Sequence, residues 1–322
     1  MRPSLYNYTI NFSSYVKCYI IRGRDCWKAY KRQYVKKSSY SIYALLCNKY
    51  ILPSLGSATR LDEQSIQSFA ADLLSRGFSI KTVRDTMLVL KMIIRHGEKM
   101  KVWPHFEYSV HYPTDSEVPR EVTTLSDQHL RALLQHLKGH FSFRNLGILI
   151  CLHSGLRIGE VCGLQWQDID VQAGVIRVNK TVQRIVIRDE GLYESFVEIG
   201  RPKTISSIRE IPLPHDLLAL IRPFKKVMPP GNYLLSGACE PMEPRTLRNY
   251  FHNMLRDLGI PKVRFHALRH SFATRCIASR CDYKTVSAIL GHSSISTTLD
   301  LYVHPDISDK KRCINRLAKD MK

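Results

Sequence analysis

A tyrosine hydroxyl, with a reference pKa of ~10, becomes a nucleophile only where its surroundings help it lose a proton. Tyr302 stands ten residues after His292 in LGHSSISTTLDLYVH, downstream of HALRH (266–270) and HSGLRIGE (153–160). The chain holds 16 tyrosines, so Tyr302 carries meaning only through its company. That company is Arg157, Lys203, His266, Arg269 and His292. A phosphodiester attacked in line gathers negative charge on its non-bridging oxygens, and its cleavage depends chiefly on positioned cations. Arg157 and Arg269 offer planar bidentate forks for those oxygens, a geometry lysine cannot reproduce. His266 and His292 can donate further hydrogen bonds or move a proton off Tyr302. The leaving sugar hydroxyl needs a proton, and Lys203 is the residue to give it. The set points to attack on a phosphodiester with no metal and no cofactor.

A zinc site is the competing reading, because His266 and His270 lie four residues apart at metal-ligand spacing. The glutamate of an H-E-x-x-H site is missing, with Ala267 in its place and no carboxylate close behind. Basic side chains aimed at phosphate are the better account.

These residues need elements to hold them. Residues 143–165 read as two buried helical segments broken at Ser154-Gly155, which puts Arg157 in the first turn of the second. A helix N-terminus adds free N–H groups and partial positive charge to an anion site. The stretches 175–187 and 196–213 alternate and are rich in β-branched residues, predicting a small antiparallel sheet with Lys203 in or beside its turn. Helical periodicity resumes after Pro244 and again in HALRHSFATRCIAS, YKTVSAILG and SISTTLDLY. His266 and Arg269, three apart, share one helix face.

Upstream, residues 38–100 read as a bundle of about four helices. Asp62 caps a helix carrying Ile66, Phe69, Ala70, Leu73 and Leu74, ended by Gly77. Ser79 precedes another with Val83, Met87, Leu90 and Ile94 on one stripe, expected to stop at Gly97. An earlier helix spans Ser39 to Tyr50 and breaks at ILPSLG, where Pro53 and Gly56 fall. Lys81, Arg84, Lys91 and Arg95 lie on the polar faces, as DNA contacts or as solvated surface. Between Trp103 and Thr124, Pro104, Pro113 and Pro119 interrupt any apolar periodicity, as a linker would. Ser126 then caps a new helix with Leu130, Leu133, Leu134 and Leu137. The predicted organisation is a basic segment at 1–26, a helical domain at 27–104, a linker at 105–122 and a second domain at 123–322. The fold class is mainly α with a small antiparallel sheet (α+β).

The 322-residue chain has 48 Lys and Arg against 28 Asp and Glu, a formal charge of +20, so polyanions are the first partners to consider. Residues 1–37 alone carry nine Lys and Arg against Asp25, interleaved with tyrosines and Trp27, a composition suited to phosphate contact and stacking or to a solvated tail. No apolar run approaches the ~20 residues of a spanning helix. The N-terminus lacks an uninterrupted apolar signal core, and nine scattered cysteines without C-x-x-C pairs fit a reducing cytoplasm. A soluble cytoplasmic protein with no membrane association is expected.

Taken in order, the segments Gly155-Leu156-Arg157 with Glu160, Lys203, His266-Ala267-Leu268-Arg269, Leu290-Gly291-His292 and Tyr302 resemble the signature of the tyrosine recombinases of the phage and transposon integrase family. The resemblance covers nearly everything from Trp27 to the C-terminus. It implies a helical core-binding domain clamping DNA opposite a catalytic domain, and a covalent 3′-phosphotyrosyl bond at Tyr302 that releases a 5′ hydroxyl. It implies neither ATP nor metal. Glu160 becomes a supporting residue beside the arginines. Partners implied are double-stranded DNA core sites, a homotetramer on two duplexes in which residues 306–322 pack onto a neighbour, and a small excisionase. The role implied is integration or excision of a mobile element. Type IB topoisomerase-like relaxation and a catalytically inactive DNA-binding relative are the alternatives. The chain departs from many relatives in having Ala267 where they have Asp, and residues 1–26 are short for an arm-binding domain.

Overall fold

In the computed structural model of the chain, the residues described are 24–56, 61–101, 105, 107–113, 124–189, 192–202, 204–302 and 307–321. The chain divides into two compact units, one of Met1–Val118 with Ile185–Phe196, the other of Pro119–Arg184 with Val197–Lys322. The basic segment 1–26 lies almost wholly outside the described residues, and so does Lys203.

The first unit is built from helices α1 (24–34), α2 (Lys37–Leu46), α3 (Leu52–Leu55), α4 (Glu63–Ser75) and α5 (Ile80–Lys99). Two expected helix ends do not occur. A π-turn over Cys47–Ile51 carries the chain from α2 into α3, and Pro53 sits in the first turn of α3, where its missing N–H breaks no intrahelical bond. Gly97 is buried inside α5, which runs on to Lys99. The buried stripe Val83, Met87, Leu90, Ile94 continues through it, and that burial outweighs the ~1 kcal/mol of helix propensity a glycine forfeits. The expected caps form. The Asp62 carboxylate accepts from the Ser65 amide at 2.9 Å while Ser65 Oγ accepts from the Asp62 amide at 3.0 Å, and the Ser79 hydroxyl accepts from the Thr82 amide.

Residues 107–113, expected as linker, run extended beside α4. The Ser109 amide and hydroxyl both donate to Glu63, at 2.9 and 2.7 Å, and Gln67 and His111 exchange two hydrogen bonds. Tyr108, Val110 and Tyr112 pack on the helical core. A second small core joins Tyr40 and Ala44 to Ile185 and Ile187 of the hairpin segment. There the Asp189 carboxylate accepts from Tyr40 Oη at 2.6 Å, from Asn48 Nδ2 at 3.2 Å and from the Lys28 ammonium. Lys28, counted among the basic residues open to phosphate, is 5% exposed and committed to this carboxylate.

The second unit opens with α6 (Asp127–Gly139), capped by Ser126, followed by α7 (Phe143–Ser154) and the short α8 (Ile158–Gly163). Strands β1 (Ile169–Asp170) and β2 (Val175–Val178) follow, then β3 (Thr181–Asp189) and β4 (Leu192–Gly200), whose Ile185–Phe196 portion belongs to the first unit, and β5 (Arg209–Pro212). The predicted sheet is two sheets: an antiparallel β1-β2-β5 sheet with Ile176 facing Ile169 and Ile211, and a β3-β4 pair. Helices α9 (His215–Val227), α10 (Pro244–Asp257), α11 (Ala267–Ala278), α12 (Tyr283–Leu290), α13 (Ile295–Tyr302) and α14 (Ile307–Asp320) complete it. α7 is buried along its length, which makes it the post on which α6, α8 and α11 pack. Among the described residues no helix is long and apolar enough to cross a membrane.

Candidate active site

Two glycine turns place the arginines. α7 ends at Gly155 in the left-handed region (φ +65°), and a Cβ there would meet Leu290 and Phe272 at 2.7 Å. Only glycine lets the chain reverse that tightly against α11 and α12. Gly291, with φ +66°, turns the end of α12 in the same way and delivers His292.

Arg157 was expected in the first turn of α8. It is the N-cap residue instead, and its own amide donates to the Glu160 carboxylate at 2.9 Å. Glu160 thus takes the N-cap amide of that helix. The Arg157 guanidinium donates to Glu160 at 2.9 Å and to the Leu290 and Gly291 carbonyls at 3.4 and 3.3 Å. Its side chain is 37% exposed, so one face of the fork still meets solvent.

Glu160 is 3% exposed and accepts from a second arginine that the spacing did not single out. Arg209, at the start of β5, donates from both terminal nitrogens to the two Glu160 oxygens at 3.1 and 3.0 Å, and to the Ile289 and Ser207 carbonyls at 2.5 and 2.9 Å. Burial alone would raise the Glu160 carboxyl pKa. The hydrogen bonds and charge of Arg209, then those of Arg157, override it and hold the group below the ordinary carboxylate value. One ionised carboxylate thus fixes two guanidinium groups.

Arg269 is 1% exposed. Its Nη1 donates to the Gly155 carbonyl at 2.9 Å, and its Nη2 is buried with no hydrogen-bond partner. Burial, then the charge of Arg157, pulls this guanidinium down to about 9. A guanidinium does not give up its proton in a protein, so an anion at this nitrogen would offset the cost of its burial. Three arginines and one carboxylate leave the described cluster with surplus positive charge.

The surroundings of His266 and His292 favour the neutral imidazole. Part of the His266 surface still meets solvent, yet desolvation by the packed protein, then His270, Arg269 and Arg157, lowers its pKa. Desolvation followed by Arg269 and Arg157 takes His292 to about 4, and its Nδ1 lies 2.8 Å from Thr298 Oγ1. Tyr302 is 8% exposed and closes a small core with Ala273, Val286 and Leu290. Burial raises its pKa, and the charges of Arg269 and Arg157 oppose the rise. Its hydroxyl lies 2.7 Å from Nδ1 of His270, the residue weighed above only as a metal ligand.

The structure therefore brings Arg157, Glu160, Arg269, His266, His292 and Tyr302 into one region of the second unit. Arg209 and His270 join them. Arg209 could have been noticed as an arginine opening a predicted strand just after Lys203, and His270 as the residue following the H-A-L-R segment. The helical-unit candidates lie elsewhere: Lys81, Arg84, Lys91 and Arg95 are exposed along α5. Lys81 pairs with Asp85 at 3.2 Å and Arg84 stacks on Tyr112 at 5.3 Å. Lys91 and Arg95 line a groove shared with Glu63 and Glu98.

The phage integrase family model matches residues 123–308, more than half of the chain. The chain belongs to this family, and its fold and signature are those of a tyrosine recombinase. A tyrosine recombinase XerC-like protein of Caldanaerobacter subterraneus subsp. tengcongensis is 29% identical over 219 residues, covering 63% of this chain and 56% of that relative. The chain thus spans little more than half the length of that protein. Among solved structures, the Tn1549 transposon integrase in complex with transposon right end DNA superposes with a TM-score of 0.73 at 22% identity, covering 94% of this chain and 99% of that one. A lambda integrase tetramer bound to a Holliday junction gives 0.63 at 18% identity, covering 89% and 79%. Those likenesses carry the fold: a helical N-terminal unit and a mainly helical second unit with small sheets.

Proposed function

We propose that this chain is a site-specific DNA recombinase that cuts and rejoins duplex DNA through a 3′-phosphotyrosyl bond at Tyr302, in the integration or excision of a mobile element. The observation that carries the reading is the buried, unpartnered Nη2 of Arg269 beside Arg157, whose charges both reach the Tyr302 hydroxyl. A scissile phosphate seated there would satisfy that nitrogen. Arg157 and Arg269 would bind the non-bridging oxygens and stabilise the charge that grows on them in the transition state. Tyr302 Oη would attack phosphorus as the bond to the 5′ oxygen breaks. Lys203 would protonate that oxygen, and His266 and His292 would donate to the phosphate edge. Glu160 would act through the arginines it holds. The bond energy stays in the phosphotyrosine, so no nucleotide is needed.

The DNA partner and a tetramer on two duplexes are proposed on the likeness to integrases solved on DNA, one of them a tetramer on a Holliday junction. The exposed Ile307, Ile314 and Leu317 of α14 offer an apolar face for a neighbouring copy. Lys81, Arg84, Lys91 and Arg95 would meet the duplex backbone from the helical unit. A small excisionase and a cytoplasmic location follow from the same reading.

The test is a pool of randomised duplexes selected for binding to this protein, nicked near the selected site and incubated with it. The expected result is a denaturant-resistant protein–DNA adduct that Tyr302→Phe abolishes. An undiminished adduct in that variant would remove Tyr302 as the nucleophile.

A further inference from the structure

The residue that touches the Tyr302 hydroxyl belongs to none of the signature positions. His270 Nδ1 sits 2.7 Å from Tyr302 Oη, and among the described residues it is the side chain seen at hydrogen-bond distance from that oxygen. The two rings lie 5.6 Å apart, tilted at 53°, so they meet through the hydroxyl and the nitrogen rather than by stacking. The other histidines are placed differently. His292 Nδ1 is held by Thr298, and His266 stacks edge-on against His270 with centroids 4.5 Å apart.

Both partners are fixed by packing. His270 is half-buried on α11, one residue beyond the fully buried Arg269, and α13 brings Tyr302 across to it from a core of Ala273, Val286 and Leu290. Desolvation, then the charge of Arg269, lowers the His270 pKa and so favours the neutral imidazole. A neutral ring with its proton on Nε2 presents a lone pair at Nδ1, to which a tyrosine hydroxyl at 2.7 Å can donate.

Resting on the recombinase reading above, we propose that His270 is a further catalytic residue, which aims the Tyr302 hydroxyl and takes its proton as the tyrosine attacks DNA. The balance is simple. The O–H bond of Tyr302 breaks and its proton passes to His270 Nδ1, the Oη–phosphorus bond forms, and the bond from phosphorus to the 5′ oxygen breaks. That oxygen takes its proton from the general acid. In rejoining, the imidazolium returns its proton to the departing tyrosine oxygen. The tyrosine hydroxyl thus passes its proton to the one ring it already touches, and the arginines remain free to stay charged on the phosphate.

Two substitutions separate aiming from proton transfer. His270→Asn keeps an acceptor near Nδ1 but cannot hold the proton, and His270→Ala removes both. On the selected, nicked duplex, His270→Asn should form the adduct about 100-fold more slowly than the parent and His270→Ala more slowly still, while both bind the duplex as the parent does. A duplex whose scissile 5′ bridging oxygen is replaced by sulfur has a leaving group that needs no proton, so it should not restore His270→Asn. A wild-type rate for His270→Asn, or full restoration by the sulfur duplex, overturns the proposal. A measurement without DNA tests the contact itself: in histidine-labelled protein the Nδ1 resonance of His270 should move in Tyr302→Phe, and an unmoved resonance also overturns it. If the parent protein forms no adduct at all, the recombinase reading fails; if the parent does and His270→Asn matches it, only the role of His270 fails.

Discussion

Glu160 in the second unit and Asp189 in the first are both carboxylates withdrawn from solvent, 3% and 14% exposed by side chain, and both are kept ionised by cationic or polar partners against the cost of burial. Their surroundings differ in charge balance. Asp189 meets the ammonium of Lys28 together with the neutral Tyr40 and Asn48, so charge is matched and the donors are used. Glu160 meets two arginines, and a third, Arg269, lies behind them with an unanswered buried nitrogen. A balanced cluster fastens the hairpin segment to the helices of its unit. An unbalanced one fastens the arginines and keeps positive charge in surplus, which is costly when buried and which an anion would offset.

The largest expected effect separates the two clusters by function rather than by stability. Glu160→Ala and Asp189→Ala each leave a buried cation uncompensated, and each should lower unfolding free energy by about 3–5 kcal/mol in urea titrations. Per folded molecule, Asp189→Ala should keep adduct formation, whereas Glu160→Ala should lose most of it because Arg157 and Arg209 lose their anchor. Equal loss of adduct in both variants would erase the distinction drawn here.

Next in size is Arg157→Lys, which keeps the point charge and loses the fork. Duplex binding should stay near the parent value while adduct formation slows about 100-fold, measured by gel shift and by single-turnover cleavage. If cleavage is unaffected, the phosphate does not sit on the Arg157 fork.

The smallest effect is on acid sensitivity. His292 has a folded-state pKa near 4, below its unfolded value of ~6.5. The unfolded chain therefore takes up the proton first, so stability is intact above about pH 6.5 and falls as pH drops toward 4. His292→Asn should flatten that slope, and bound duplex should flatten it too, because phosphate would stabilise the imidazolium. A slope unchanged by both would mean the histidine does not face the anion site.

Much of this was legible in the chain. Asp62, Ser79 and Ser126 announce their helices because a cap depends on residues three positions away. The ordered Arg157, His266, Arg269, His292 and Tyr302 announce the site because each is tied to a local segment. Pro53 and Gly97 misled, Pro53 because it falls in a first turn, and Gly97 because burial of its helix stripe outweighs its weak propensity. Residues 107–113 look like linker in composition, yet Glu63 and Gln67 are spaced to bind them.

Residue types and spacings within one or two turns were enough to set the expected class of chemistry, the order of the residues proposed to perform it and the helical elements that carry them. Tertiary structure decided which cation is used up and which is free. Lys28 is spent on Asp189, 161 residues away; Arg209 reaches Glu160 across 49 residues; His270 meets Tyr302 across 32. Such pairings are set by packing of distant segments, and no local spacing encodes them.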